Sequence, residues 1–142
     1  MLDTSSHTTR PQAIARIVLG AFMTLAGVAH LTFQRGEFQA QVPPWVPLDT
    51  DFVVLASGVV EIALGLAMLI LKRYRVWVGL SLAVFYVLIF PGNLSQYTNG
   101  IDAFGLDTDA KRFARLFFQP VLILWALWST GGLAAWRQAR QR

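Results

Sequence analysis

Phe52-Val-Val-Leu-Ala-Ser57-Gly58-Val-Val-Glu61-Ile-Ala-Leu-Gly65-Leu-Ala-Met68-Leu-Ile-Leu71 is an apolar run with one carboxylate near its centre. About 20 apolar residues at ~1.5 Å each span the ~30 Å hydrocarbon core of a bilayer, so the run reads as a transmembrane helix. An acid at the centre of such a helix costs ~2.5 kcal/mol or more, which predicts that Glu61 faces protein or a cavity rather than lipid. Gly58, Glu61 and Gly65 stand at i, i+3 and i+7 and share one face of the helix. Two glycines beside the acid let a second helix approach at the level where the carboxylate needs a partner.

The rest of the chain has the same character. Of 142 residues, 55% are hydrophobic and only 14% charged, and the mean hydropathy is +0.50. A soluble domain of this length would carry more charge and interrupt its apolar runs. The apolar residues fall into four blocks, which predicts an all-α fold: one four-helix transmembrane bundle embedded in a lipid bilayer. Cysteine is absent, so disulfides, thiolate metal sites and thiol chemistry by this chain are excluded. The net charge of +4 does not point to nucleic acid, because the basic residues are divided among membrane flanks.

Working outward, residues 1–12 read as a disordered, polar N-terminus, and Pro11 suits the first turn of a helix. Span one is expected over 14–33. A secretory signal is the rival reading there, but the apolar stretch is long for a signal core, so the segment is read as retained. Pro43, Pro44, Trp45 and Pro47 exclude a continuous helix between Gln34 and Asp51 and suggest a loop dipping into the headgroups. Span two is 52–71. Span three is 76–93, passing Pro91 near its end, and span four is 113–130, containing Pro120. Residues 132–142 form a basic tail. With both termini on the cytoplasmic side, the inner flanks hold eight basic residues (Arg10, Arg16, Lys72, Arg73, Arg75, Arg137, Arg140, Arg142) and the outer segments four. The rule that positive charge stays inside therefore predicts N-in/C-in.

In that topology the unusual polar residues gather in the outer half of the bundle. His30 ends span one, Asn93 ends span three, and Arg115 and Gln119 open span four. Glu61 lies ~14 Å in from the outer end of span two at ~1.5 Å per residue. Tyr86 shares the inward face of span three with Gly79, Ala83, Phe90 and Asn93 at helical spacing. Each has a structural explanation as well. Glu61 could bridge to Arg115 and set helix register, Arg115 could snorkel, and His30 could sit at the interface. Asn93 could cap a turn, and Gln119 could bond a carbonyl that Pro120 leaves without its donor. No metal site is expected, because one His, one Glu and one Asn lack a recognisable ligand spacing.

Five short motifs in order are similar to the DoxX family of small four-helix membrane proteins: Gly27-Val-Ala-His30, Val42-Pro-Pro-Trp-Val-Pro47, Ser57-Gly-Val-Val-Glu-Ile-Ala-Leu-Gly65, Phe90-Pro-Gly-Asn93 and Arg115-Leu-Phe-Phe-Gln-Pro120. The resemblance covers about Ile14 to Trp128. Leu31 stands where Phe often follows the histidine, and Gly92 where many members have Ala. It implies a bacterial-type cytoplasmic membrane and association with complexes that handle sulfur compounds or oxidative stress, some of them quinone-linked.

The leading expectation is a quinone-interacting subunit of a membrane oxidoreductase, with quinone as cofactor and the redox centre on a protein partner. His30 and Glu61 would transfer protons, and Arg115, Gln119, Asn93 and Tyr86 would bind the cofactor. Aromatic walls are expected from Phe33, Tyr86, Phe90 and Phe117. The alternatives are a non-catalytic scaffold or assembly factor, in which a Glu61–Arg115 bridge sets register, and a proton-coupled transporter, for which four spans are cramped unless the protein forms a homo-oligomer.

Overall fold

The computed structural model describes residue 4 and residues 7–142. Their regular structure is helical, with one isolated bridge between Ala103 and Leu106. Helix α1 runs Arg10–Leu31. It starts earlier than expected because Thr9 and Gln12 close a capping box, satisfying backbone donors at the helix start that would otherwise be bare. Residues 10–12 are therefore helical rather than disordered, while residues 1–3, 5 and 6 lie outside the described residues.

A short helix α2, Arg35–Gln39, and the Pro-Trp segment follow. Helix α3 spans Thr50–Ile70 and is opened by Asp49, whose carboxylate accepts from the Phe52 amide at 3.0 Å. A 3-10 turn at Lys72–Tyr74 leads into α4, Arg75–Thr98. That helix runs past the expected end at residue 93 to Thr98, and Pro91 lies inside it as expected. The proline removes the donor for the Val87 carbonyl but does not end the helix.

The fourth crossing is two helices, α5 (Asp109–Leu116) and α6 (Phe118–Thr130), broken at Phe117. Pro120 has no amide to offer the Leu116 carbonyl, which accounts for a break at that turn. Gly131, at φ 81, reverses the chain into α7, Gly132–Arg140, so the basic tail is helical.

α1, α3, α4 and the α5–α6 pair are each long and apolar enough to cross a membrane. The chain is a multi-pass membrane protein. Ile14, Leu25, Val59, Ile70, Val84 and Leu124 are exposed along these helices, an outward face suited to lipid.

α1 packs most extensively on α3, and α4 on α6, while α1–α6 contacts join the pairs. The α1–α3 seam is built on glycine. A Cβ on Gly27 would stand 2.6 Å from Ile62 Cγ1 and 2.7 Å from the Gly58 carbonyl oxygen. On the second pair, Gly79 lies against Thr130 with no room for a side chain. Trp125 ties the pairs together by donating to the Ala15 carbonyl at 2.9 Å. Leu19, Met23, Met68, Leu82, Tyr86 and Ala126 form the core between them. α3 and α4 meet much less closely.

Candidate functional site

Close packing of α1 on α3 carries the chain's two central ionisable groups together. His30 sits in the last turn of α1 and Glu61 on the buried stripe of α3, with Val54, Gly58, Gly65 and Met68. The His30 Nδ1 lies 2.8 Å from Glu61 Oε2 and 2.9 Å from the Ala26 carbonyl oxygen. Both neighbours are acceptors, so Nδ1 carries a hydrogen. That hydrogen is directed at Ala26, leaving Glu61 Oε2 within ion-pair distance of the imidazole but without a hydrogen-bond donor. Glu61 is 6% exposed and His30 8%. Phe38 stacks on the imidazole at a centroid distance of 3.3 Å and meets Phe104 edge-on at 4.7 Å.

The pair faces a cavity of about 230 Å³ between α3, α4 and the α2–Pro-Trp segment. Its polar lining is His30, Gln41, Ser57, Glu61, Asn93 and Arg115. Phe38, Trp45, Val54, Phe85, Leu88 and Ile89 supply most of the apolar wall. Arg115 closes α5, with its guanidinium 5.7 Å from the centroid of the Phe118 ring. Its Nη1 is buried without a hydrogen-bond partner. The expected Glu61–Arg115 bridge is not formed: Glu61 pairs with His30, and the turn before Phe118 holds Arg115 elsewhere in the cavity wall.

Behind Asn93 runs a line of amides. Gln119 is fully buried, donates Nε2 to the Tyr86 carbonyl at 2.8 Å and accepts from Asn93 Nδ2 at 3.2 Å. Asn93 Oδ1 accepts from Gln41 Nε2 at 3.2 Å, and Gln41 also donates to Gln96 Oε1 at 3.0 Å. Gln119 thus serves a carbonyl of α4, one turn ahead of Pro91, and not the one Pro120 orphans in its own helix. Tyr86 is 2% exposed, and its hydroxyl donates to Met23 Sδ at 2.7 Å in the core. Of the six expected residues, His30, Glu61, Asn93 and Arg115 line the cavity, whereas Gln119 and Tyr86 do not. The expected aromatic walls also change. Phe33 and Phe117 point outward at 78% and 61% exposure, and neither they nor Tyr86 and Phe90 line the cavity, which is walled by Phe38, Trp45 and Phe85.

The α2 segment forms a cap. Arg35 pairs with Asp51 through two hydrogen bonds, and Gln39 donates to the same carboxylate at 2.9 Å. Bonding to Asp51 raises the Arg35 pKa above its ordinary value. Glu37 accepts from the Phe104 amide at 2.6 Å. Gly92 has no Cβ to keep the Gln41 carbonyl away, so the cap backbone lies directly on α4. The 99–108 connection is gathered by Arg112, which donates to Asp102 at 2.6 Å, the Leu106 carbonyl at 2.9 Å and Asp109 at 2.9 Å.

Residues 19–130 match the family described as a domain of unknown function, DUF8561. The chain belongs to that family. The matched DUF8561 region contains every residue of the cavity, from His30 to Arg115, and the amide line behind it. No curated protein and no solved structure matches the chain.

Phe38, Gln41, Ser57, Trp45 and Phe85 were not legible as site residues. Phe38, Gln41 and Trp45 belong to a segment that looks like an interfacial loop, and its folding back over His30 depends on contacts far apart in sequence.

Proposed function

We propose that the chain is a DoxX-like membrane subunit that binds a quinone-class ring in this cavity and handles its protons, while a protein partner supplies the electrons. The observation that carries the reading is that two residues of an otherwise largely apolar cavity lining each hold a buried polar atom outside any hydrogen bond: Glu61 Oε2, with only the His30 imidazole beside it at 2.8 Å, and Arg115 Nη1. A buried donor or acceptor without a partner costs ~1–3 kcal/mol, so a ligand carrying both kinds of group recovers that loss. A ring with carbonyl oxygens that become hydroxyls fits such a donor set, and the aromatic walls fit its faces. When bound, a quinone supplies two-electron, two-proton redox chemistry.

The chain's own residues do the rest. Ala26 and Glu61 hold the imidazole of His30 by its Nδ1, and Phe38 fixes the ring plane. Glu61 accepts or gives a proton at Oε2, with the imidazole beside it to stabilise the carboxylate. Arg115 Nη1 donates to a ligand oxygen and stabilises negative charge there. Asn93 is already committed to Gln41 and Gln119, so it positions the cap and does not bind ligand. Both termini are assigned to the cytoplasmic side of a bacterial-type membrane, which puts the cavity in the outer half. The pairing of Glu61 with His30 favours this reading over the scaffold, whose register bridge required Arg115.

The test is extraction of protein purified in a lipid-preserving system, with bound quinone measured by mass spectrometry. Wild type retains quinone, and folded Glu61→Gln and His30→Ala retain at least about tenfold less, equivalent to ~1.4 kcal/mol. Wild-type protein that carries none after reconstitution with added quinone overturns the proposal.

A further inference from the structure

We propose that the cavity is filled sideways from the bilayer, through the gap between α3 and α4. Its ligand would be an amphiphile whose apolar tail lies past Leu88 while its polar ring sits at His30 and Glu61. The ring assignment rests on the quinone reading above; the route rests on the rim alone.

Among the cavity's lining residues, the two that are widely exposed are Leu88 and Trp45, each at 71%. Both are apolar. Leu88 lies ~15 Å along α4 from its Thr98 end at ~1.5 Å per residue, well inside the hydrocarbon layer of a ~30 Å core. There the loosely packed α3 and α4 leave a wall of Val53, Ser57 and Phe85 behind it.

The other approach is closed by the cap. Entry from water must break the Gln41 bonds to Asn93 and Gln96, the Arg35–Asp51 pair, the Glu37–Phe104 bond and the stack of Phe38 on His30. Entry past Leu88 breaks none of them. A ligand free in water would also meet a rim without a polar group, whereas a lipid-borne one loses nothing on the way in. The competing route passes Trp45, which separates the cavity from a groove lined by Pro44, Leu94, Thr98 and Asn99.

Because the chain has no cysteine, Ser57→Cys places a single thiol in the cavity wall. Reconstituted protein is treated with an uncharged, bilayer-soluble maleimide and with a quaternary-ammonium methanethiosulfonate. Thr98→Cys, at the exposed end of α4, is the reference for both reagents. Relative to that reference, the cationic reagent is expected to modify the cavity thiol about 50-fold more slowly than the maleimide does, since a fixed charge is excluded from hydrocarbon by at least that factor. Leu88→Trp, at an exposed position, narrows the gap and slows the maleimide severalfold, while Trp45→Ala leaves it unchanged. Equal relative rates, or acceleration by Trp45→Ala with no effect of Leu88→Trp, overturn the lateral route. The reagent comparison needs no second substitution, so misfolding of either variant does not spare the proposal.

A fully substituted, thiol-unreactive benzoquinone with a decyl tail is then added to the vesicles, alongside its tail-less parent at equal membrane concentration. Protection of the cavity thiol by the tailed form alone supports the amphiphile. Equal protection by both overturns the assignment of the tail. Protection by neither, with the labelling pattern intact, overturns the quinone reading and leaves the lateral route standing.

Discussion

His30 is held by one nitrogen between a carbonyl and a carboxyl group, so its removal takes the nearest polar neighbour away from buried Glu61. His30→Ala is expected to destabilise the protein by about 3 kcal/mol, the range for breaking one side of a buried pair. The double change His30→Ala with Glu61→Gln should recover part of that loss, because no lone carboxylate is left behind. Denaturant titration in micelles measures both. Gln119 joins the Tyr86 carbonyl to the Asn93 side chain from a fully buried position. Gln119→Leu strands the Asn93 Nδ2 donor and removes the side-chain donor to the Tyr86 carbonyl, while Asn93 Oδ1 keeps Gln41, and should cost about 1 kcal/mol in the same titration. At this scale the acid in α3 stood out in the sequence because an ionisable group in an apolar run is costly wherever it points. Its partner did not stand out: the sequence suggested Arg115, and only the rotation of each helix puts His30 beside the carboxylate instead.

Helix contacts depend on what is missing from the side chains. Gly27 lies against the Gly58 carbonyl and Ile62, so Gly27→Ala must push α1 from α3, at a cost of about 2 kcal/mol. Gly36, in α2, has nothing near its missing Cβ, and Gly36→Ala should instead stabilise by roughly 0.5 kcal/mol through the unfolded chain. Comparing the two unfolding curves separates close packing from helix propensity. The Asp107 carboxyl, before α5, is held below its ordinary 3.8, mainly by the hydrogen bond from Lys111. Its contribution is therefore present above pH 3.8 and lost as pH falls through the lower folded-state value. Both partners are exposed, so Asp107→Asn should lower the unfolding temperature slightly at neutral pH and not at all in strong acid. The lengths of α1, α3 and α4 were legible within a few residues, since apolar runs are local. The break at Phe117 was not, because Pro120 is compatible with either a kink or an interruption.

For the whole molecule, four crossings put both termini on one face, and the excess of basic residues there predicts that this face is cytoplasmic. Arg142→Cys in the cysteine-free chain should react with an impermeant thiol reagent only in inside-out vesicles; reaction in intact cells would reverse the orientation. The sequence by itself determined the all-helical membrane class, the four crossings and the presence of a costly acid at mid-depth. Each of these depends only on consecutive residues and on the thickness of a bilayer. Tertiary structure alone decided that Glu61 meets His30 and not Arg115, that Tyr86 belongs to the core, and that the Pro-Trp segment closes over a cavity between α3 and α4. These depend on how glycine seams and proline breaks set the spacing and rotation of helices, and on contacts between residues far apart in the chain.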